Sequence, residues 1–319
     1  MGQASEERPH RPVMAEEVAE IFRSIGQGVI VDATFGDGGH TRRLLEILRP
    51  EVRILALDRD PAVASAAGPL RPRVRLVEAN FRRLADVLEE EGIDELAGVL
   101  FDLGVSSRQL DDPSRGFSYR RPGPLDMRMG PDAPHTADEL VNQWPVDRLG
   151  DVIRRLGEER FAGRIAQAIG EARPIQDTLE LAEVVRAAIP AATRRRGGHP
   201  ARRTFQALRM AVNDELGALR DGLEAGLASL RPAGRVAVIA YHSLEDRLVK
   251  RRFAAGASGC ICPPELPECV CGQAPELRLL TRRPLRPTSA EVAANPRARS
   301  ARLRAGEKTL PLPLPEPGG

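Results

Sequence analysis

The segment Asp32-Ala33-Thr34-Phe35-Gly36-Asp37-Gly38-Gly39-His40 gathers two acids, three glycines and a histidine directly after an apolar run. Glycines at such a place let the backbone approach a ligand closely and adopt positive φ. Asp58 follows about twenty residues later, the spacing at which a carboxylate accepts both hydroxyls of a ribose. A dinucleotide motif, G-x-G-x-x-G, would need a third glycine where Thr41 stands, and no Gly-Lys-Ser/Thr ending of a phosphate loop is present. What remains is a ligand with ribose and adenine but no pyrophosphate, and S-adenosylmethionine fits. Asp32 can then face its amino group. Phe81 can lie against the adenine or simply pack in the core.

A second group of candidates is Asp102-Leu103-Gly104-Val105-Ser106-Ser107, followed by Gln109. Methyl transfer is an in-line displacement, so much of the work is alignment of an acceptor lone pair with the sulfonium carbon and exclusion of water. The lone pair of a nucleobase amino group is delocalised into its ring. A carboxylate that accepts a hydrogen bond from that group helps to localise the pair, and Asp102 is read as such a positioning residue, with a helix cap as the alternative. Further on, Tyr241-His242-Ser243-Leu244-Glu245-Asp246 offers His242 and Tyr241 as contacts for the acceptor base. Ser243 with Asp246 resembles a capping box, so part of that motif can be purely structural. No serine, histidine and acid arrangement emerges, which makes hydrolysis a poor alternative.

These residues sit at the ends of predicted strands. Val29–Val31 ends at Asp32, Arg53–Leu57 at Asp58, Val74–Val77 comes next, and Ala97–Phe101 ends at Asp102, with helices predicted over Thr41–Leu48 and around Phe81–Glu90. Strands alternating with helices imply a parallel sheet with right-handed crossovers, whose carboxyl edge is the general ligand position. The alternation then stops. Leu110–Met129 has no sustained period and reads as an ordered loop, and helices are predicted at Ala137–Asn142, Glu158–Ile169, Leu179–Ala188 and Thr204–Leu219. Arg235–Ala240 restores the strand pattern, with a helix beginning near Leu244, and Glu276–Arg282 and Ser300–Arg304 are candidates for closing antiparallel strands. A lone late strand needs a sheet to join. The reading is therefore one α/β domain with a helical insertion: core over 1–109 and 217–309, insertion over 110–216, and a proline-rich tail over 310–319.

Composition sets the outer limits. With 319 residues and 42% hydrophobic content the chain can bury one large core or two modest ones. A formal charge of +2 does not by itself mark a nucleic-acid binder, although the basic side chains are almost all arginine, with Lys250 and Lys308 the two lysines. The first twenty residues hold no apolar run and no later stretch is long enough to span a bilayer, so a soluble, cytoplasmic protein without membrane contact is expected. Cys260, Cys262, Cys269 and Cys271 are too clustered for a distributed disulfide framework. Their one-residue gaps are tighter than usual zinc spacings, and no metal is expected. Two basic runs, Arg194–Arg196 with Arg202 and Arg203, and Arg282, Arg283, Arg286, Arg297, Arg299, Arg302 and Arg304, fit a phosphate-backbone surface.

Several long motifs in order resemble the bacterial ribosomal RNA small-subunit methyltransferase H family, also called MraW or RsmH. They are His10–Met14, Asp32–His40, Asp58–Asp60, Phe101–Leu110, Arg115–Ser118, Leu125–Met129, Gly157–Ala166, His199–Leu216, Gly234–Lys250 and Asn295–Arg304. The resemblance implies a class I S-adenosylmethionine-dependent methyltransferase fold, Rossmann-like, with a mostly parallel sheet, an antiparallel end strand and an inserted helical domain. It implies N4-methylation of a cytidine in the decoding region of 16S ribosomal RNA on the small subunit. Cofactor contacts carry over to Gly38, Gly39, His40, Asp58, Phe81, Asp102 and Gln109, beside Asp32, while Asp102 and His242 are the candidate catalytic residues. Arg108 and Tyr241 depart from the family pattern, which has proline and phenylalanine there. DNA is not expected as a substrate, a homodimer is open, and the alternatives are a DNA amino-methyltransferase or a non-catalytic ribosome assembly factor.

Overall fold

A computed structural model describes residues 12–70, 72–194, 198–259, 262–263, 266, 271 and 274–310. Seven strands, β1 (Gly28–Asp32), β2 (Val52–Asp58), β3 (Val74–Glu78), β4 (Leu96–Asp102), β5 (Leu230–Ala240), β6 (Leu277–Leu279) and β7 (Arg302–Lys308), form one sheet. Their order is β3-β2-β1-β4-β5-β7-β6. The first five run parallel, while β7 is antiparallel to both β5 and β6. The sequence reverses direction across the sheet between β1 and β4, the switch point at which doubly wound sheets bind ligands.

Strand periodicity explains why both faces are apolar. Ile30, Ile54, Ala56 and Leu100 pack on one face with Phe22 and Leu44. Their chain neighbours Val31, Leu55, Leu57, Val99 and Phe101 pack on the other with Leu84, Leu223 and Leu227. Successive side chains alternate between faces, and crossover helices cover each face, so these strands read as continuous hydrophobic runs. The closing strands are displaced from the expected positions: β6 is shorter than Glu276–Arg282, and β7 begins at Arg302 because Pro296–Ser300 is a 3₁₀ turn capped by Asn295.

Contacts divide the chain into two compact units, Met1–Gly104 with Leu219–Gly319, and Val105–Ala218. In the second unit a buried amide pins the end of the irregular Leu110–Met129 segment. Asn213 accepts a hydrogen bond from Met129 N at 2.8 Å and donates to Met127 O at 2.8 Å. Its helices depart from the expected boundaries in four places. Val146–Gly157 is a helix that sequence reading omitted, burying Leu149, Ile153 and Gly157, and it stops where Glu158 turns left-handed at φ 48. Hence the next helix is Ala162–Ala172 rather than Glu158–Ile169. Ala137–Asn142 is a single π-helical turn over Glu139–Gln143. Thr204–Leu219 is two helices, Arg202–Asn213 and Glu215–Ser229, broken by Asp214 at φ 44, a conformation that a short polar side chain tolerates.

Candidate active site

Three carboxylates end three neighbouring parallel strands: Asp58 on β2, Asp32 on β1 and Asp102 on β4. The strand register fixes this alignment, since Asp32 pairs with Ala56 on one side and Leu100 on the other. Each acid is held by a different local device. Asp32 is buried and accepts from the Thr41 hydroxyl at 2.6 Å and from Thr34 N at 3.3 Å. Burial raises its pKa against the opposing effects of Thr41 and His40. Asp58 accepts from Gly36 N at 2.7 Å and from Asp60 N at 2.9 Å, so it braces the glycine loop from the next strand. Burial pushes its pKa from 3.8 up to about 6 despite those two backbone donors.

Asp102 is the point where the elements converge. Its backbone N–H donates to the Thr34 hydroxyl at 2.7 Å, which ties β4 to the loop after β1. Its Oδ1 accepts from the Tyr241 hydroxyl at 2.9 Å, and its Oδ2 lies 3.3 Å from His40 Nε2, close but out of line for a hydrogen bond. Burial disfavours the His40 imidazolium, yet Asp102, Asp32 and Glu291 together outweigh it, and the His40 pKa is raised. Burial and the neighbouring Asp102 hold the Tyr241 phenol well above its ordinary value, so Tyr241 is a donor here. Nδ1 of His40 is buried with no hydrogen-bond partner among the described residues.

The glycines make room around this acid row. Gly36 has φ 54 and open space where a Cβ would project, and Gly38 has φ 71 with Phe35 only 2.7 Å from that point. Gly39 begins the helix Gly39–Ile47, two residues ahead of the predicted start, and Pro12 packs against it. Phe81 opens the 3₁₀ turn after β3 and meets Phe101 edge-on, with centroids 5.7 Å apart. It is partly buried against the core, so both readings of Phe81 remain compatible with its position.

The sequence profile of the MraW methylase family matches residues 7–309. The chain belongs to the MraW methylase family. It is 53% identical over 303 residues to a Ribosomal RNA small subunit methyltransferase H of Symbiobacterium thermophilum, covering 93% of this chain and 95% of that one. Proteins of the same name from Heliobacterium modesticaldum and Geobacter sulfurreducens are 50% and 51% identical, each match covering 94% of this chain and 98% of the relative.

In this MraW methylase the remaining expected site residues stand apart from the acid row in their bonding. Gln109 lies in the second unit as the third residue of a capping box: Gln109 N donates to the Ser106 hydroxyl at 3.2 Å and Ser106 N donates to Gln109 Oε1 at 3.1 Å. His242 is the N-cap of the helix Ser243–Ser258, with Glu245 as its partner, which corrects the expected box of Ser243 with Asp246 by one position. The Glu245 carboxylate accepts from Tyr241 N at 2.9 Å and His242 N at 3.3 Å. Asp246 is instead buried between Arg304 at 2.7 Å and Arg302 at 2.9 Å. Burial opposes its ionisation, but the two guanidinium groups hold its pKa below the ordinary value. Arg302 and Arg304 therefore leave the proposed phosphate-binding run and serve to fasten β7 to that helix.

Thr34, Thr41 and Glu291 belong to the site and were not singled out in sequence. The first two carried a signal, since threonines flanking a glycine loop at a strand end can satisfy a buried acid. Glu291 carried none: its neighbourhood to His40 arises from a fold contact, in which its Oε1 accepts from Met14 N at 2.7 Å. Cys260, Cys269, Arg195, Arg196 and the 311–319 tail lie outside the described residues, as does the side chain of Arg194. Among the described residues no helix is long and apolar enough to cross a membrane.

Proposed function

We propose that this protein transfers the methyl group of S-adenosylmethionine to N4 of a cytidine in the decoding region of 16S ribosomal RNA, within the small ribosomal subunit. The observation that carries this reading is the row of Asp58, Asp32 and Asp102 at the carboxyl edge of adjacent parallel strands in a methylase family. Relatives named for the small-subunit ribosomal RNA support the acceptor. A cytoplasmic location follows from that substrate, and DNA is not assigned as one.

The residues present fit the cofactor. Asp58 has the position and the unused lone pairs to accept the ribose hydroxyls, and since burial holds its pKa up at about 6, further donors would favour its ionised form. The open space over Gly36 and the unpartnered Nδ1 of His40 suit a polar ligand laid on the loop. Asp32, Gly38, Gly39 and His40 would hold its amino-acid end, Phe81 its adenine, and Gln109 joins the set through the family resemblance. S-adenosylmethionine supplies a methyl group on a positively charged sulfur, open to attack by a nitrogen lone pair.

Asp102 then acts on the acceptor. Held by Tyr241 and set beside His40, its carboxylate accepts a hydrogen bond from the exocyclic amine and turns the nitrogen lone pair toward the transfer path. The methylated nitrogen is acidic enough to lose its proton without a dedicated strong base. His242, at the end of β5, contacts the base, and the second unit reads the surrounding ribosomal RNA.

Incubation with labelled S-adenosylmethionine and separate pools of small subunits, naked ribosomal RNA and DNA, followed by nucleoside analysis, tests the whole reading. Label in N4-methylcytidine from the subunit pool is expected. Label confined to DNA, or none in any pool, would overturn it.

A further inference from the structure

We infer that the segment joining β6 to β7 is a rigid phosphate-binding surface for the acceptor RNA, with Arg282, Arg283, Arg286 and Arg299 as its contacts. This rests on the RNA-methylating reading above. The four guanidinium groups belong to exposed residues, and none has an ion pair or hydrogen bond among the described residues. Elsewhere in the same unit arginines find acids: Arg43 pairs with Glu16 and Glu46, Arg75 with Glu91, Arg252 with Glu224 and Glu276, and Arg278 with Glu307. The segment itself contains a single acid, Glu291. That carboxylate accepts from Met14 N and pairs with none of the four arginines among the described residues.

The same contact places the segment beside the candidate active site. Glu291 is close enough to His40 and Tyr241 to act on the ionisation of both. An uncompensated basic surface thus adjoins the edge where Asp102 is held. Its shape is fixed by the fold. Thr288 caps the helix Ser289–Ala294 through Glu291 N at 3.1 Å, Asn295 caps the following 3₁₀ turn, Leu285 pairs with Leu303 of β7, and Ala298 is fully buried. A basic group on a rigid support loses little freedom when it engages an anion. Arginine is suited to phosphate because its planar fork donates two parallel hydrogen bonds. The partner that fits is a single-stranded RNA backbone leading its base to the adjacent edge, since phosphate contacts position a strand without reading its sequence.

The test compares the parent with a variant carrying Arg282→Ala, Arg283→Ala, Arg286→Ala and Arg299→Ala, and with the four-lysine counterpart. Affinity for small subunits is measured by filter binding across a salt series, alongside calorimetry with S-adenosylmethionine. Each lost phosphate contact lowers the slope of log affinity against log salt by about 0.7 for single-stranded nucleic acid, so the alanine variant should lose up to about 3 in slope. Its affinity for subunits should fall at least about tenfold at low salt, and the lysine variant should keep most of the slope because counterion release follows charge. Cofactor affinity and circular dichroism should match the parent in both. An unchanged slope in the folded alanine variant would overturn the surface whether or not the parent methylates RNA. A slope lost in the variant of a parent that transfers no methyl would uphold the surface and sink the functional reading. Tighter binding of the parent to phosphatidylglycerol vesicles than to subunits, lost in the alanine variant, would reassign the surface to membrane and overturn the RNA partner.

Discussion

Asp58 should make cofactor affinity depend on pH in the mildly acidic range, and replacing it with Asn should remove that dependence. Without a ligand the buried carboxyl has a pKa of about 6 against an ordinary 3.8. The sign is set by the raised value: the folded protein binds a proton between those two limits that the unfolded chain has released. Asp58 therefore favours the fold below about pH 4, and this contribution, about 3 kcal/mol, is lost as pH rises through 6. Two ribose hydroxyls donating to the carboxylate would favour its ionised form and return the pKa toward 3.8. Binding would then release a proton near pH 5, where only about a tenth of the free site is ionised, and affinity should be about tenfold weaker there than at pH 7.5. Calorimetry with S-adenosylmethionine at both pH values, in buffers of different ionisation enthalpy, reads the affinity and the proton release together. Asp32 and His40 also have raised pKa values, so the decisive comparison is with Asp58→Asn, which leaves both in place. Equal affinity change with pH in parent and variant would refute the assignment of Asp58 to the ribose.

Three further substitutions probe the supports of the site. Gly222→Ala should destabilise by about 1–3 kcal/mol in thermal unfolding although alanine favours helices, because its Cβ would meet the Phe81 carbonyl at 2.7 Å and ring at 2.8 Å; a raised Tm would show that Phe81 is free to yield. Tyr241→Phe should lower turnover at saturating substrates by less than about tenfold, since one hydrogen bond to Asp102 is lost while the ring stays against Gly104 and His40 remains. A larger loss would mean that the hydroxyl takes part in the reaction itself. Asp246→Ala should cost about 3 kcal/mol in denaturant unfolding by stranding the buried Arg304 charge, and Asp246→Glu should recover part of it; equal stability of Asp246→Ala and parent would show that the cluster is solvated.

What could be read from the sequence divides along physical lines. Strand ends were legible because parallel strands buried on both faces are short apolar runs, and an acid directly after such a run has one place to be, the carboxyl edge. That logic placed Asp32, Asp58 and Asp102 at the ends of β1, β2 and β4. It failed where the determining contact is distant in the chain. Nothing local tells that Asp246 is claimed by Arg302 and Arg304, so Ser243 and Asp246 looked like a cap and the two arginines looked available to phosphate. Val146–Gly157 was passed over although Val146, Leu149, Ile153 and Leu156 recur at helical spacing between Pro145 and a left-handed Glu158, so that its signal was present in the sequence. The break at Asp214 depends on one backbone conformation that propensity does not specify.

The electrostatic design of the edge follows from the same long-range contacts. Burial raises the pKa values of Asp32 and Asp58, and neighbouring carboxylates at the same edge add a smaller push in the same direction. Burial opposes the charged form of His40, but Asp102 and Asp32 turn it toward that form, and Glu291 reinforces them from a segment more than two hundred residues away in the chain. His40 Nε2 lies 3.3 Å from the Oδ2 of Asp102. Tyr241, held as a phenol by the same surroundings, adds a donor on the other oxygen. The Asp102 carboxylate is thus held by residues from the first loop and the end of β5. A site assembled in this way depends on closure of the sheet by β7. Disturbing the Asp246 cluster should therefore weaken catalysis through displacement of Glu291 and Tyr241, not through direct contact with either substrate.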